Sequence, residues 1–193
     1  FDVAYYKQDK TRTESRPLPF SREIYIERDD FMEEPVKGFT RLAPETEVRL
    51  MSAYYIACTG VVKDAAGRIV ELRAVYDPAT RGGQSPDNRK VKGTLHWVSA
   101  EHAVPAEVRL FEPLFTVPDP NKDTDGDPDG FLKHLNANSL RVADALVEPS
   151  LATAQPGDKF QFVRQGYFVV DPDTRPDQLV FNRTVGLKDT WRP

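Results

Sequence analysis

An all-β fold, either a barrel or a sandwich, is what this sequence predicts, and three observations predict it. Short runs rich in β-branched and aromatic residues recur at roughly regular spacing. Sixteen prolines and eleven glycines in 193 residues punctuate them, which favours turns over long helices. Helical periodicity is confined to three short stretches, near Phe31-Met32-Glu33-Glu34, from Ser99 to Ala103, and around Phe131 to Leu135.

Taken in order, Glu23-Ile24-Tyr25-Ile26-Glu27-Arg28 alternates and is built of strand formers. Val48-Arg49-Leu50 leads into the apolar run Ala53 to Val62. Lys63-Asp64-Ala65-Ala66-Gly67-Arg68 is turn chemistry, and Ile69 to Tyr76 returns as the second arm of a hairpin. Asp77-Pro78 opens a polar loop that closes into Val91 to Val98, a further strand. Glu107 to Phe111 and Leu114-Phe115-Thr116-Val117 read as strands, followed by a Pro/Asp/Gly loop from 118 to 130. Gln161 to Arg164, Gly166 to Val170 and Val180 to Val185 complete the set. The Pro-punctuated junction at Val104-Pro105 divides two small barrels, 1–104 and 105–193. The segment 1–22 is left open, since it can pack with either.

Composition narrows the function. No run approaches the ~18 consecutive apolar residues of a membrane-spanning helix. The start at Phe1, without Met, basic region or apolar core of a leader, reads as an excised domain. A single cysteine, Cys58, excludes a disulfide framework and a cysteine zinc site, and fits a cytoplasmic protein. The net charge of −4 argues against nucleic-acid binding through bulk charge, DNA included, so any such role needs a local basic patch.

The motifs sort quickly. Asp125-Gly126-Asp127-Pro128-Asp129-Gly130 begins like a calcium loop, but Asn136 stands where a bidentate glutamate is needed and Pro128 interrupts it, so it reads as an exposed acidic turn. His96, His102 and His134 have no metal spacing and no nucleophile partner. No catalytic motif stands out, so no residue is assigned to catalysis or to a metal. The segment 81–92 differs: Arg81, Arg89, Lys90 and Lys92 against Asp87 alone give it a local charge of +3, with Gln84 and Asn88 interleaved. Such a loop suits phosphates and base edges, although an ordinary solvated loop has the same pattern. A second cluster, Gln161-Phe162-Val163-Arg164-Gln165-Gly166-Tyr167, combines amide, guanidinium and aromatic groups suited to base edges and to stacking. A kink at Gly166 is expected to bring Gln161 and Arg164 to one rim.

With these segments in view, the chain resembles the C-terminal anticodon-binding region of the glutaminyl-tRNA synthetases. The resemblance rests on Arg22 to Phe31, on Arg89-Lys90-Val91-Lys92-Gly93-Thr94-Leu95-His96-Trp97-Val98-Ser99, on His102 to Leu110, and on Phe181-Asn182-Arg183-Thr184-Val185-Gly186-Leu187-Lys188-Asp189-Thr190-Trp191. It implies two consecutive β-barrels, similar to a ribosomal-protein barrel, that bind the anticodon loop of glutamine tRNA. It also implies a parent ligase whose separate N-terminal catalytic domain uses ATP and magnesium, so this piece carries no cofactor and is inactive alone. By the same resemblance Arg16 contacts anticodon bases, and Gln161 and Arg164 line the pocket of the central uridine. The loop of Arg81, Gln84, Arg89, Lys90 and Lys92 serves flanking positions. Two alternatives stay open: the related glutamyl enzyme of archaeal or eukaryotic type, and a stand-alone RNA-binding barrel.

Overall fold

Backbone pairing in the computed structural model, which describes residues 1–6, 9, 11–122 and 124–187, organises the chain into two units. Lys188 to Trp191 of the resemblance and Asp123 of the acidic loop lie outside the described residues. The first unit comprises Phe1–Ala103 and Glu148–Ser150; the second comprises Val104–Val147 and the chain from Leu151 onward.

In the first unit, strands β1 (Asp2–Ala4) and β2 (Ser15–Pro17) form one antiparallel pair, and β3 (Ile24–Ile26) pairs with β8 (Trp97–Ser99). The larger sheet orders β6-β5-β4-β7, from β4 (Glu47–Leu50), β5 (Tyr55–Lys63), β6 (Ile69–Asp77) and β7 (Thr94–Leu95). The β5–β6 hairpin turns where expected. The Asp64 carboxylate accepts the backbone N–H groups of Ala66 and Arg68, and Gly67 supplies a φ of +78°. Along β4, Val48 and Leu50 are buried in the core with Ile56, Cys58, Leu95 and Trp97. Glu47 and Arg49 therefore point to the opposite face, beside Ala57 and Tyr55 on β5. That alternation brings ionisable side chains under the 81–92 loop.

The second unit is one sheet ordered β10-β9-β13-β12-β11, from β9 (Val104–Phe111), β10 (Leu140–Val147), β11 (Lys159–Phe162), β12 (Gly166–Val170) and β13 (Leu179–Val185). Only β9–β13 is parallel. Pro105 lies in β9 opposite Leu146 of β10, and the pairing with β13 begins one residue later, at Ala106. Phe181 is fully buried, and Phe162 stacks on Phe168 at 4.3 Å between ring centroids.

The expected barrels are not formed: among the described residues no sheet closes on itself. Closure requires the two edge strands to bond to each other. In the first unit the edge strand β7 stops after two residues, because the chain leaves the sheet at His96 to pair β8 with β3. In the second unit β10 and β11 are the edges. Between them the chain sends Leu151 and Ala154 into the core from a 3₁₀ turn at Pro149–Thr153, rather than supplying another strand. Other local expectations also shift. The helix expected at Phe31 is a 3₁₀ turn at Arg28–Asp30. The stretch from Ser99 is a single turn, closed by the Ala103 N–H donating to the Ser99 carbonyl. Leu114 to Val117 makes only a bridge at Phe115, whereas the unanticipated β10 is a full strand.

Candidate nucleic-acid interface

Arg16 sits on β2 with its guanidinium side-on against Glu148, 132 residues away. Its Nη2 donates to Glu148 Oε1 at 2.9 Å and its Nε donates to Oε2. The two side chains are only 19% and 11% exposed, which makes this a semi-buried, geometrically matched pair. His96 Nε2 lies 3.5 Å from the same Oε1, and the Tyr5 ring lies 5.2 Å from the guanidinium carbon. Burial pushes the Glu148 carboxyl up, but the hydrogen bonds from Arg16 and His96 outweigh it and hold the group at about 2.

The 81–92 loop folds over the β4–β5 face. Tyr55 on β5 is buried, and its N–H donates to the Thr80 hydroxyl at 2.8 Å. Arg89 and Arg49 flank its ring at 5.3 and 5.5 Å. Arg89 spends its whole fork on acids. Nε and Nη2 donate to Glu47 at 2.9 Å each, Nη2 also to Asp77, and Nη1 to Asp87 at 3.0 Å. The guanidinium bond, helped by the Ala79 N–H, holds the Asp77 carboxyl below the usual range; the Arg89 backbone N–H does the same for Asp87, ahead of the guanidinium. Gly83 is buried in close contact with the Arg49 side chain, and its φ of +82° is one that a glycine accepts freely. Gln84, Lys90 and Lys92 are left exposed on the loop. Arg81, also exposed, lies over the Phe1 ring at 5.0 Å and reaches the Tyr54 hydroxyl at 3.5 Å. It lines an open groove of about 700 Å³ together with Gly82, Ser52, Pro17 and Leu18, so this loop and the end of β2 share one cleft.

Gln161 and Arg164 belong to one hairpin of the second unit. Phe162 pairs with Gly166, leaving Val163, Arg164 and Gln165 as the loop. The Gln165 N–H donates to the Phe162 carbonyl at 2.9 Å, and Arg164 takes a φ of +66° at the third position of that turn. Gly166 adopts a φ of +142°, and a Cβ there would run into the Val185 carbonyl oxygen. Gln161 is exposed on the outer face across from Tyr167, while the flanking Phe160 and Phe162 pack on the core. Arg164 is half-buried at the tip.

Sequence reasoning missed the acids that hold the arginines: Glu148, Glu47 and Asp77. Glu148 is 132 residues from Arg16, and Glu47 is 42 from Arg89. At those separations no spacing rule applies. His96, to which the sequence gives no metal spacing and no nucleophile partner, is the second partner of Glu148. The sequence does not mark it, because Val91 to Val98 reads as one strand and the break at His96 between β7 and β8 is visible only in the fold.

Comparison with known proteins adds to this geometry. Two family profiles match, both described as the anti-codon binding domain of class I tRNA synthetases (E and Q), over residues 1–77 and 94–171. Glutamine–tRNA ligases are among the similar proteins. That of Clostridium kluyveri is 52% identical over 178 residues, covering 92% of this chain and 32% of the relative. That of Nitrobacter hamburgensis is 55% identical over 177 residues, 92% of this chain and 31% of its own length. That of Pseudomonas putida is 55% identical over 178 residues, 91% and 31% respectively. The chain thus spans about a third of the length of these relatives.

Proposed function

Since this chain belongs to the anticodon-binding domains of the class I tRNA synthetases for glutamate and glutamine, we propose that it is the module by which a glutamine–tRNA ligase reads the anticodon loop of glutamine tRNA. The observation that carries this reading is identity above one half to several glutamine–tRNA ligases across nine-tenths of the chain. The two segments 1–104 and 105–193 act as two binding domains on one loop. Single-stranded loop bases are read by hydrogen bonds to their edges and by stacking, which calls for donors fixed on a rigid scaffold. Gln161 with Arg164 on the hairpin, and Gln84 with Arg81 on the loop, supply such donors. Lys90 and Lys92, both exposed, suit phosphates and fix register. Arg16 reaches a base from its place beside Glu148, and Arg89 shapes the loop that presents its neighbours.

Charging of the tRNA with glutamine, with ATP and magnesium, belongs in this reading to the rest of the ligase and its catalytic domain in the cytoplasm. Among the described residues no group of three His, Cys, Asp or Glu is arranged to hold a metal ion. The test is a fluorescence-anisotropy titration of the chain with synthetic anticodon stem–loops of glutamine and glutamate tRNAs. The glutamine stem–loop is expected to bind more tightly, with affinity falling steeply as salt rises. Equal affinity for both, or no binding to either, overturns the reading.

A further inference from the structure

Arg16 and Arg89 of the first unit each engage both carboxylate oxygens of a glutamate through Nε and Nη2, and they differ in what is left over. A guanidinium carries five N–H donors in one rigid plane. Arg89 has Nε, Nη1 and Nη2 all engaged by carboxylates. Arg16 is held along one edge only: Nε and Nη2 meet Glu148, and among the described residues Nη1 has no hydrogen-bond partner. Fixing the Nε–Nη2 edge fixes the direction of the remaining donors, while the Tyr5 ring at 5.2 Å backs the guanidinium. Glu148 is in turn steadied by His96 at 3.5 Å, so neither member of the pair is a loosely held surface charge.

We propose that Glu148 is a positioning residue for RNA recognition: it clamps one edge of Arg16 so that the opposite edge is offered, already aligned, to the acceptor atoms of an anticodon-loop base. This rests on the anticodon-binding reading above and adds to it a residue that touches no RNA. An aligned donor pair loses less freedom on binding than a mobile side chain, and its direction discriminates between base edges where a loose cation does not. A pair that only fastened the segment Glu148–Ser150 to the first unit would serve stability and leave base preference unchanged.

The experiment uses the chain with two RNA probes, the glutamine anticodon stem–loop and the same stem–loop with every anticodon base substituted, and follows folding by thermal melts. In Glu148→Gln one oxygen that accepts from Arg16 becomes an amide donor facing a donor, which tilts the guanidinium. Affinity for the glutamine stem–loop is expected to fall about tenfold, with little change for the substituted one. Arg16→Ala should lose at least as much, and the double variant no more than Arg16→Ala alone, because both act on the same base edge. Should Glu148→Gln fail to fold, Glu148→Asp keeps the charge but withdraws it by one methylene, and the same loss of discrimination is expected. Wild-type affinity in the folded Glu148 variants beside a weakened Arg16→Ala overturns this inference alone. Equal weakening toward both probes does the same, since it reports a phosphate contact. Absence of binding by the unaltered chain overturns the anticodon reading itself and this inference with it.

Discussion

In the first unit Arg16 and Arg89 each lie along a glutamate, so the direction of the guanidinium is set by a charged partner distant in sequence. In the second unit Gln161 and Arg164 ride on a hairpin whose tip is set by backbone: Arg164 at a φ of +66°, then Gly166 at +142° with the Val185 carbonyl against its α-carbon. The two devices fail in different ways. A carboxylate clamp depends on ionisation and weakens in acid. A backbone clamp is indifferent to pH but cannot accept one extra carbon.

The largest effect expected from that contrast is at Gly166. Gly166→Ala combines a φ that L residues rarely adopt with a collision against the main-chain oxygen of Val185 in β13, at a cost of roughly 3–5 kcal/mol. Thermal melts should show the loss at pH 7 and at pH 5 alike. A variant as stable as the parent, or one destabilised at only one of these pH values, breaks the distinction between the clamps.

Acid is the matching probe of the first unit. The folded Glu148 carboxyl is held at about 2, below its ordinary 4.5. A depressed carboxyl contributes its stabilisation in full above the ordinary value and loses it as pH falls through the folded one. Linkage places that contribution at about 2–3 kcal/mol, surrendered between about pH 4.5 and 2. Denaturant melts over this range should therefore show a steeper decline for the parent than for Glu148→Gln. Parallel declines would mean that the ion pair does not set the acid stability of this unit.

How far the sequence discloses these devices follows from the reach of local rules. Alternation in Val48-Arg49-Leu50, the Asp64–Gly67 turn and the apolar runs of β5 and β12 are local, and they mark strands correctly. The strand β10 escapes because its apolar residues Leu140, Val142 and Leu146 face outward while Ala143, Ala145 and Val147 face in, so the hydrophobic pattern points the wrong way. Barrel closure is misjudged because it depends on whether edge strands meet, a matter of long-range pairing that strand count does not fix. Among the candidate residues, the basic character of 81–92 is visible in composition. That Arg89 is consumed by Glu47, Asp77 and Asp87 is not, since charge counting within a segment ignores acids that arrive from other strands.

The smallest change in stability is expected at Gln161, and it sharpens the contrast most cleanly. Its side chain is exposed, while Phe160 and Phe162 on either side carry the packing of β11 against the core. Gln161→Ala removes an outward amide without touching the turn at 163–165 or the backbone of Gly166, so stability should stay within about 0.5 kcal/mol of the parent. Without that amide to bond a base edge, affinity for the glutamine anticodon stem–loop should still fall by about 1–3 kcal/mol. Fold and recognition would then be separable in the second unit, because backbone geometry rather than the recognising side chain holds the hairpin. In the first unit the same separation is not available, since Arg16 joins the ion pair with Glu148 and, on the proposal above, also offers its other edge to RNA. A melt of Gln161→Ala shifted as far as that of Arg16→Ala would erase this difference and place Gln161 in the structural framework instead.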